Sequence, residues 1–234
     1  MRALALALWA LGSAASAQTI TAASYSGPTD RYPHGVLGDD IEYTQLDVTL
    51  SDGRVLSASY EATLVFEDVA PRLWDITGDG TPEVVTVEAH EAEGARLVIW
   101  GLDDGQLRQI ARTPFIGTRF RWLAPIGAAD MDGDGYIEIA YIDRPHLAKT
   151  LRVWRYTPDS FSEIATLPGL SNHRIGEDYI TGGLRDCGQG PEMIVADARW
   201  REIMSVALAP GGLRADPIAR FEGRTSVDAQ LACG

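Results

Sequence analysis

The chain has 234 residues, of which 45 % are hydrophobic and 23 % are charged, so its composition is that of a globular protein and excludes wholesale disorder. Lysine and arginine total 20 against 33 aspartates and glutamates, which gives a formal net charge of −13. That excess of negative charge repels a phosphate backbone and excludes general nucleic-acid binding. The 24 glycines and 12 prolines indicate many turns, and therefore short strands rather than long helices.

Residues 1–17 have the pattern of a cleaved export signal. Arg2 precedes an apolar run from Ala3 to Leu11, and residues 15–17 form an A-x-A cleavage site. The alternative, a transmembrane anchor, is disfavoured because the run is shorter than the roughly 20 residues that span a bilayer. We expect a mature chain that begins at Gln18, is exported to the periplasm or the medium, and has no membrane span.

A repeat of 55 residues organises the rest of the chain. The segments 73–87 (LWDITGDGTPEVVTV) and 128–141 (AADMDGDGYIEIAY) are clearly related, a degenerate copy (LRDCGQGPEMIVAD) follows, and a weaker copy precedes them from residue 38. Repeats of this length with about four short strands are typical of propeller blades. We therefore predict an all-β fold, a small β-propeller in one domain over residues 18–234, with a β-sandwich or an open stack as the alternative. Its four predicted blades are residues 18–68, 69–123, 124–178 and 179–234.

The acidic loops carry a family resemblance. Each has the form D-x-x-G-D-G-x-x-E and leads into an apolar strand. This pattern resembles the FG-GAP and VCBS-type repeats of integrin-like β-propellers. The resemblance implies calcium in the loop and a propeller used for adhesion or binding, usually without catalysis.

The loops also predict calcium sites from their residue types, because Ca²⁺ takes six to eight oxygen ligands. In the second loop alternate residues carry carboxylates, with a backbone carbonyl and a glutamate after them. Its candidate ligands are Asp130, Asp132, Asp134, Tyr136 and Glu138. Those of the first loop are Asp75, Thr77, Asp79, Thr81 and Glu83, and its neutral hydroxyl predicts weaker binding. One or two calcium sites are expected, against the alternative of plain Asp-Gly turns.

The third loop departs from this pattern. Arg185, Cys187 and Gln189 replace its three aspartates, so no divalent cation is expected there. In an oxidising compartment Cys187 and Cys233 are expected to form a disulfide, the alternative being two buried thiols. In the chain-entropy model, closing this loop stabilises the fold by roughly 4 kcal/mol.

The remaining connections predict a binding face. If each acidic loop joins the first two strands of a blade, the other polar connections share the opposite face, because successive strands are antiparallel. This places all four histidines together, and Arg119 and Arg174 at equivalent positions. The ligand-face candidates are His34, His90, Arg119, Asp143, His146, His173 and Arg174. A zinc site made from His34, His90 and His146 is possible by residue type, and solvated loops without a ligand are the plainer alternative.

These patterns favour an exported, calcium-stabilised β-propeller that acts as a binding or scaffolding module. Its partner on the loop face would be a protein, a glycan or another anionic ligand. The chain has no G-x-S-x-G, P-loop or H-E-x-x-H motif, so no catalytic residue is assigned. Two alternatives stay open: a hydrolase or lyase that uses His146, His173 and the loop arginines against an anionic substrate, and a purely structural envelope protein.

Overall fold

The computed structural model describes residues 18–158 and 160–233 and confirms the predicted all-β class. The predicted export signal, residues 1–17, lies outside the described residues. Within the described ranges the chain forms strands throughout and one helix of eight residues near its C-terminal end. No described helix is long and apolar enough to cross a membrane.

The elements follow one another in four groups. The first group is β1 (Ile20–Thr29), β2 (Glu42–Leu50), β3 (Val55–Ser59) and β4 (Leu64–Phe66). The second is β5 (Arg72–Trp74), β6 (Glu83–His90), β7 (Gly94–Asp103) and β8 (Gln106–Arg112). The third is β9 (Leu123–Ala129), β10 (Ile137–Asp143), β11 (Thr150–Thr157) and β12 (Ser160–Pro168). The fourth is β13 (Leu170–Ser171), β14 (Gly183–Asp186), β15 (Pro191–Asp197), β16 (Glu202–Ala209) and β17 (Gly212–Arg220), followed by helix α1 (Arg224–Leu231).

The strands pair antiparallel into three sheets. Strands β5–β8, β9–β12 and β14–β17 each pair with their neighbours in chain order, which is how a propeller blade is built. Strands β1, β2 and β3 do not form a separate sheet, because Tyr43 of β2 pairs with Phe66 of β4, and β4 pairs with the far end of β6. The first two groups therefore share one eight-stranded sheet.

The hydrophobic cores lie between consecutive groups of strands. Side chains alternate across a strand, so neighbouring residues of one strand enter different cores. On β6, Val84 packs with the first group while Val85 packs toward β10. On β10, Ile139 faces back toward β6 while Ala140 faces the last sheet. This two-sided burial explains why both strands carry apolar side chains at adjacent positions, as at Val84 and Val85 or Ile139 and Ala140.

The two outer faces of the stack are finished in different ways. On the last sheet, Val227 of α1 packs on the buried Ile194 and Ile203. On the first group, Asp47 accepts hydrogen bonds from the hydroxyls of Ser26 and Ser57, both at 2.5 Å, so that face is polar. One outer face is therefore covered by a helix, and the other presents polar side chains.

The connections divide between the two ends of the strands. The acidic loops join β5 to β6 and β9 to β10, and the turns after β6 and β10 lie at the opposite end. Gly94, with φ of 75°, makes one such turn, and a Cβ there would lie 2.6 Å from the carbonyl oxygen of Thr118. The backbone N–H of Ala95 donates to the carbonyl of Arg121 at 2.8 Å. These contacts hold the connection 113–122 against the end of the sheet.

Candidate functional site: the acidic loops and the loop-face pocket

The second acidic loop is folded around Asp130. Its carboxylate accepts hydrogen bonds from the backbone N–H groups of Gly133 at 2.8 Å and Gly135 at 3.0 Å. The buried Glu138 closes the loop by accepting the N–H of Met131 at 2.8 Å. The backbone N–H of Asp134 also donates to Asp130, at 3.1 Å, so this carboxylate organises the loop and keeps little further capacity for a cation.

Arg155 supplies that cation from the neighbouring strand. It lies opposite Glu138 in the β10–β11 register, and its guanidinium reaches Asp132 at 2.5 Å, Asp134 at 2.6 Å and Glu138 at 2.6 Å. Oxygens of Asp130, Asp132 and Glu138 all lie within 4.8 Å of one another, a donor set that suits a hard cation. The guanidinium already contacts two carboxylates of this set, Asp132 and Glu138, so in this conformation the residues do not fit calcium unless Arg155 moves away.

The first acidic loop has the same backbone but no internal arginine. Asp75 accepts the N–H of Gly80 at 2.9 Å, and Glu83 accepts the N–H and the hydroxyl of Thr77 at 3.2 and 3.3 Å. The position equivalent to the arginine of the second loop is Gly101, where an added Cβ would lie 3.7 Å from Cγ of Glu83. In the described ranges, no lysine or arginine forms an ion pair with the carboxylates of this loop.

Three further predicted ligands are engaged within their own loops. The hydroxyl of Thr81 donates to Asp79 at 2.6 Å. The backbone N–H of Tyr136 donates to Asp134 at 3.0 Å, and the Tyr136 side chain is exposed. These bonds are those of tight Asx-type turns, which polar loops form with or without an ion.

The third loop is tied to helix α1. The predicted disulfide between Cys187 and Cys233 is confirmed, with the two Cα atoms 5.8 Å apart. Arg185 pairs with Glu192 at 3.0 Å and donates to the carbonyl oxygen of Gln230 at 2.7 Å. The helix that covers the last sheet is therefore held by a covalent bond and by an arginine at the same loop.

At the opposite end of the strands, four separate segments enclose a cavity of about 270 Å³. We call it the loop-face pocket. Five of its nine lining side chains are apolar or aromatic, and the rest are histidine and arginine. The lining residues are His34, Val36, Phe120, Arg121, Trp122, Arg144, His146, Leu147 and Ile175.

One wall of the pocket is a carboxyl–imidazole pair. Nδ1 of His34 contacts Oε1 of Glu67, whose side chain is fully buried and whose Oε2 has no hydrogen-bond partner among the described residues. Burial raises the pKa of Glu67 well above its usual value, and the charge of Asp68 raises it further. Burial, and then the charge of Arg121, lowers the pKa of His34 to about 4. The carboxyl and Nδ1 share a proton across this contact, and whichever of them carries it, Nε2–H of His34 is left as a donor.

A second wall is a pair of histidines. Nε2 of the buried His173 lies 2.8 Å from the carbonyl oxygen of Glu177, so it must donate. Its Nδ1 then accepts from Nε2 of His146 at 3.0 Å. Burial and the neighbouring His173 lower the pKa of His146 to about 4. His146 is consequently neutral at pH 7 and keeps the lone pair on its Nδ1.

The pocket carries one unpaired positive charge. Arg121 donates to the carbonyl oxygen of Phe120 at 2.8 Å, and no carboxylate of the described chain lies within ion-pair distance of it. Arg144 is held in a two-bond pair by the buried Asp143, at 2.7 and 3.0 Å. A ligand in the pocket therefore meets the uncompensated charge of Arg121 alone.

The two repeat-equivalent arginines do not line this pocket. Arg119 stacks over the ring of Phe120, with its Cζ 4.6 Å from the ring centroid. Arg174 stacks over Trp200 and Phe221 in the same way, at 4.3 and 4.9 Å, beside a different depression. Their environments are alike, but the structure does not bring them together.

The other ligand-face candidates are also separated. His90 lies beside Phe115, with the ring centroids 5.5 Å apart, and Asp143 is buried against arginines. Of the four histidines, His34, His146 and His173 meet at the pocket. Among the described residues, ligand atoms close enough to share a metal ion are found in the second acidic loop and not among the histidines.

Glu67 and Arg155 were not identified from the sequence. Glu67 stands with a second acid in the apolar stretch LVFEDVA, a pattern that indicates a buried carboxyl. Arg155 has a clearer signal in the sequence. Trp100 and Trp154 occupy equivalent positions in the two repeats, and the next residue is Gly101 in one repeat and Arg155 in the other.

Comparison with known proteins agrees with the repeat. Residues 75–141 match the family model of the FG-GAP-like repeat, so the segment that holds both acidic loops is such a repeat. No curated protein matches the chain. Among solved structures, a protein from Lactobacillus plantarum is similar over 77 % of this chain, with 12 % identity and a TM-score of 0.41. The chain spans about half of that protein, since the match covers 53 % of its length.

Proposed function

We propose that this protein is an exported binding module in which the stacked β-sheets hold the loop-face pocket open to a ligand. The observation that supports this most is the convergence of four distant segments, 34–36, 120–122, 144–147 and residue 175, on one cavity. Rigid strands that present loops at one end are a common way to build a binding site. The described lining contains no serine, threonine or cysteine, so it offers no hydroxyl or thiol nucleophile.

The exported location is part of the same proposal. It is supported by the predicted signal and by the disulfide, since disulfides persist in oxidising compartments. Mass spectrometry of the secreted or periplasmic protein is expected to give an N-terminus at Gln18. Recovery of the uncleaved chain in the reducing cytoplasm would contradict it.

For the acidic loops, we propose that the guanidinium of Arg155 neutralises the carboxylates of the second loop. Arg155 occupies the place expected for calcium, so added calcium stabilises this loop only when the arginine is removed. In the first loop, with Gly101 at the equivalent position, no described lysine or arginine pairs with the carboxylates, so a bound ion would have no cation to displace. The expected calcium response is therefore smaller than two unprotected loops would give.

The binding role is tested by NMR on the mature chain, with a fragment library that contains neutral, cationic and anionic members. The indole N–H of Trp122 donates to the carbonyl of Glu67 at 2.8 Å beside the pocket and reports on occupancy. Shifts at Trp122, His34 and His146, with Trp200 unmoved as the control, support the proposal. If no fragment of any class moves the three pocket resonances, the pocket is not a binding site.

A further inference from the structure

The loop-face pocket combines three features that together indicate a class of ligand. It is small, its walls are mainly apolar, and its one uncompensated charge is positive. Pockets for drug-sized ligands occupy roughly 300–1,000 Å³, and this cavity has about 270 Å³. Building on the proposed binding function, we propose that the pocket binds a small organic monocarboxylate with an apolar body.

The carboxylate is assigned to Arg121. A guanidinium presents donors in a planar fork that matches a carboxylate in two-bond geometry. The neighbouring Arg144 is already neutralised by Asp143, so a second negative charge on the ligand would find no free partner. The net charge of −13 on the whole chain also disfavours a polyanion.

His34 provides the second donor. Because Nδ1 of His34 is occupied by its contact with Glu67, Nε2–H of His34 is the group available to a ligand oxygen. The ring of His34 is held by stacking on Phe120, with the centroids 5.1 Å apart and the planes inclined by 21°. A donor that is held in place before the ligand arrives loses little entropy on binding.

The apolar body is assigned to the mouth of the pocket. Leu147 is 63 % exposed and Ile175 is 72 % exposed, which is unusual for large aliphatic side chains that border one cavity. Val36 and Trp122, both buried, form the apolar wall beneath them. An alkyl or aryl group placed here would cover side chains that water now contacts.

Backbone geometry adds an independent observation. Phe120 and Arg144 have φ of 59° and 46°, in the left-handed region that non-glycine residues seldom adopt. Both line the pocket, at two different connections. Such conformations persist where the surrounding structure holds them, and they cluster at binding sites.

The test compares acids with their neutral isosteres by calorimetry on the mature chain. The probes are benzoate and cyclohexanecarboxylate, each paired with its primary amide. The carboxylates are expected to bind at least about tenfold more tightly than the amides, and Arg121→Met is expected to remove that difference. Arg119→Met is the matched control, because this neighbouring arginine stacks on Phe120 outside the pocket, and it is expected to keep the preference.

A second variant keeps the proposal falsifiable if Arg121→Met does not fold. Arg121→Lys keeps the positive charge but loses the planar fork of donors, so it is expected to keep a preference for acids over amides that is smaller than in the wild type. Equal affinity for acids and amides, or full acid preference in Arg121→Met, overturns the carboxylate assignment. If neutral fragments bind in the NMR screen while the acids do not, this inference fails and the proposed binding function stands. If nothing binds in either experiment, both fail.

Discussion

Replacing Arg155 with methionine is expected to convert the second acidic loop into a calcium-dependent one. The substitution keeps most of the aliphatic stem but removes the guanidinium that contacts Asp132, Asp134 and Glu138. Two of these contacts are partly exposed, with side-chain exposures of 26 % and 37 % on the aspartates, so each contributes about 1 kcal/mol or less. The contact with Glu138 dominates, because that carboxylate is fully buried.

The size of the effect follows from that buried contact. Removing one partner of a buried ion pair typically destabilises a protein by about 3–5 kcal/mol. The lower end applies here, because Glu138 keeps its hydrogen bond from Met131. A loss of about 3 kcal/mol lowers the melting temperature of a chain of this size by about 6–12 °C. Calcium at a hundredfold excess over its dissociation constant returns about 2.7 kcal/mol, because it binds the folded loop and not the unfolded chain.

The assay is urea unfolding of the wild type and the variant, each in EDTA and in excess calcium. Arg152→Met is the matched control: this arginine is also on β11 and pairs with Asp143 and Glu163, away from the acidic loop. It is expected to lose stability, and calcium should stabilise it no more than it stabilises the wild type. Adding Asp132→Asn to Arg155→Met should reduce the calcium gain to that of the wild type. The reasoning is refuted if calcium stabilises the wild type as much as Arg155→Met, or if Arg155→Met is indifferent to calcium.

Three other outcomes are expected. Replacing Cys187 and Cys233 together with serine should lower the free energy of unfolding by roughly 4 kcal/mol in urea titrations, and an unchanged midpoint would contradict the contribution of the closed loop. Burial, reinforced by neighbouring acids, raises the pKa of Glu42 to about 9, so the folded chain holds a proton that the unfolded chain releases near pH 4.5. Stability should therefore fall from about pH 5 to pH 9, by at most about 1.4 kcal/mol per pH unit from this group, and Glu42→Gln should flatten that fall. Replacing Arg119 or Arg174 with alanine should lower the free energy of unfolding by about 0.5–1 kcal/mol, because the contact with an aromatic ring is lost, and should leave benzoate binding unchanged. If benzoate binding is lost while stability is kept, these arginines belong to the recognition surface.

The strands could be predicted from the sequence because their pattern depends on residues that are close together in the chain. Runs such as 83–90 and 137–143 are rich in valine, isoleucine and alanine, and a glycine-containing acidic loop precedes each of them. That pattern is sufficient for an all-β class and for the placement of the acidic loops between strands. The disulfide also followed from residue type and compartment, since the chain contains only two cysteines.

The sequence did not predict that the first two groups of strands share one sheet. This sharing depends on one pairing, Tyr43 with Phe66, between residues that no repeat relates. Helix α1 was missed as well, because its eight residues carry only a weak apolar stripe, and Val227 is its one buried residue. Tertiary packing on Ile194 and Ile203 stabilises this helix more than its own sequence does.

By itself the sequence determined which end of each strand carries acidic loops and which end carries histidines and arginines, because antiparallel strands leave no other arrangement. Only the tertiary structure decided which of those residues meet. Arg155 enters the second acidic loop because β11 pairs with β10 in one register. His34 and His146 line one pocket because the N-terminal connection crosses to the third group of strands. The physical reason is that a repeat specifies local geometry within about ten residues, whereas a pocket needs side-chain positions set by contacts between segments that lie far apart in the chain.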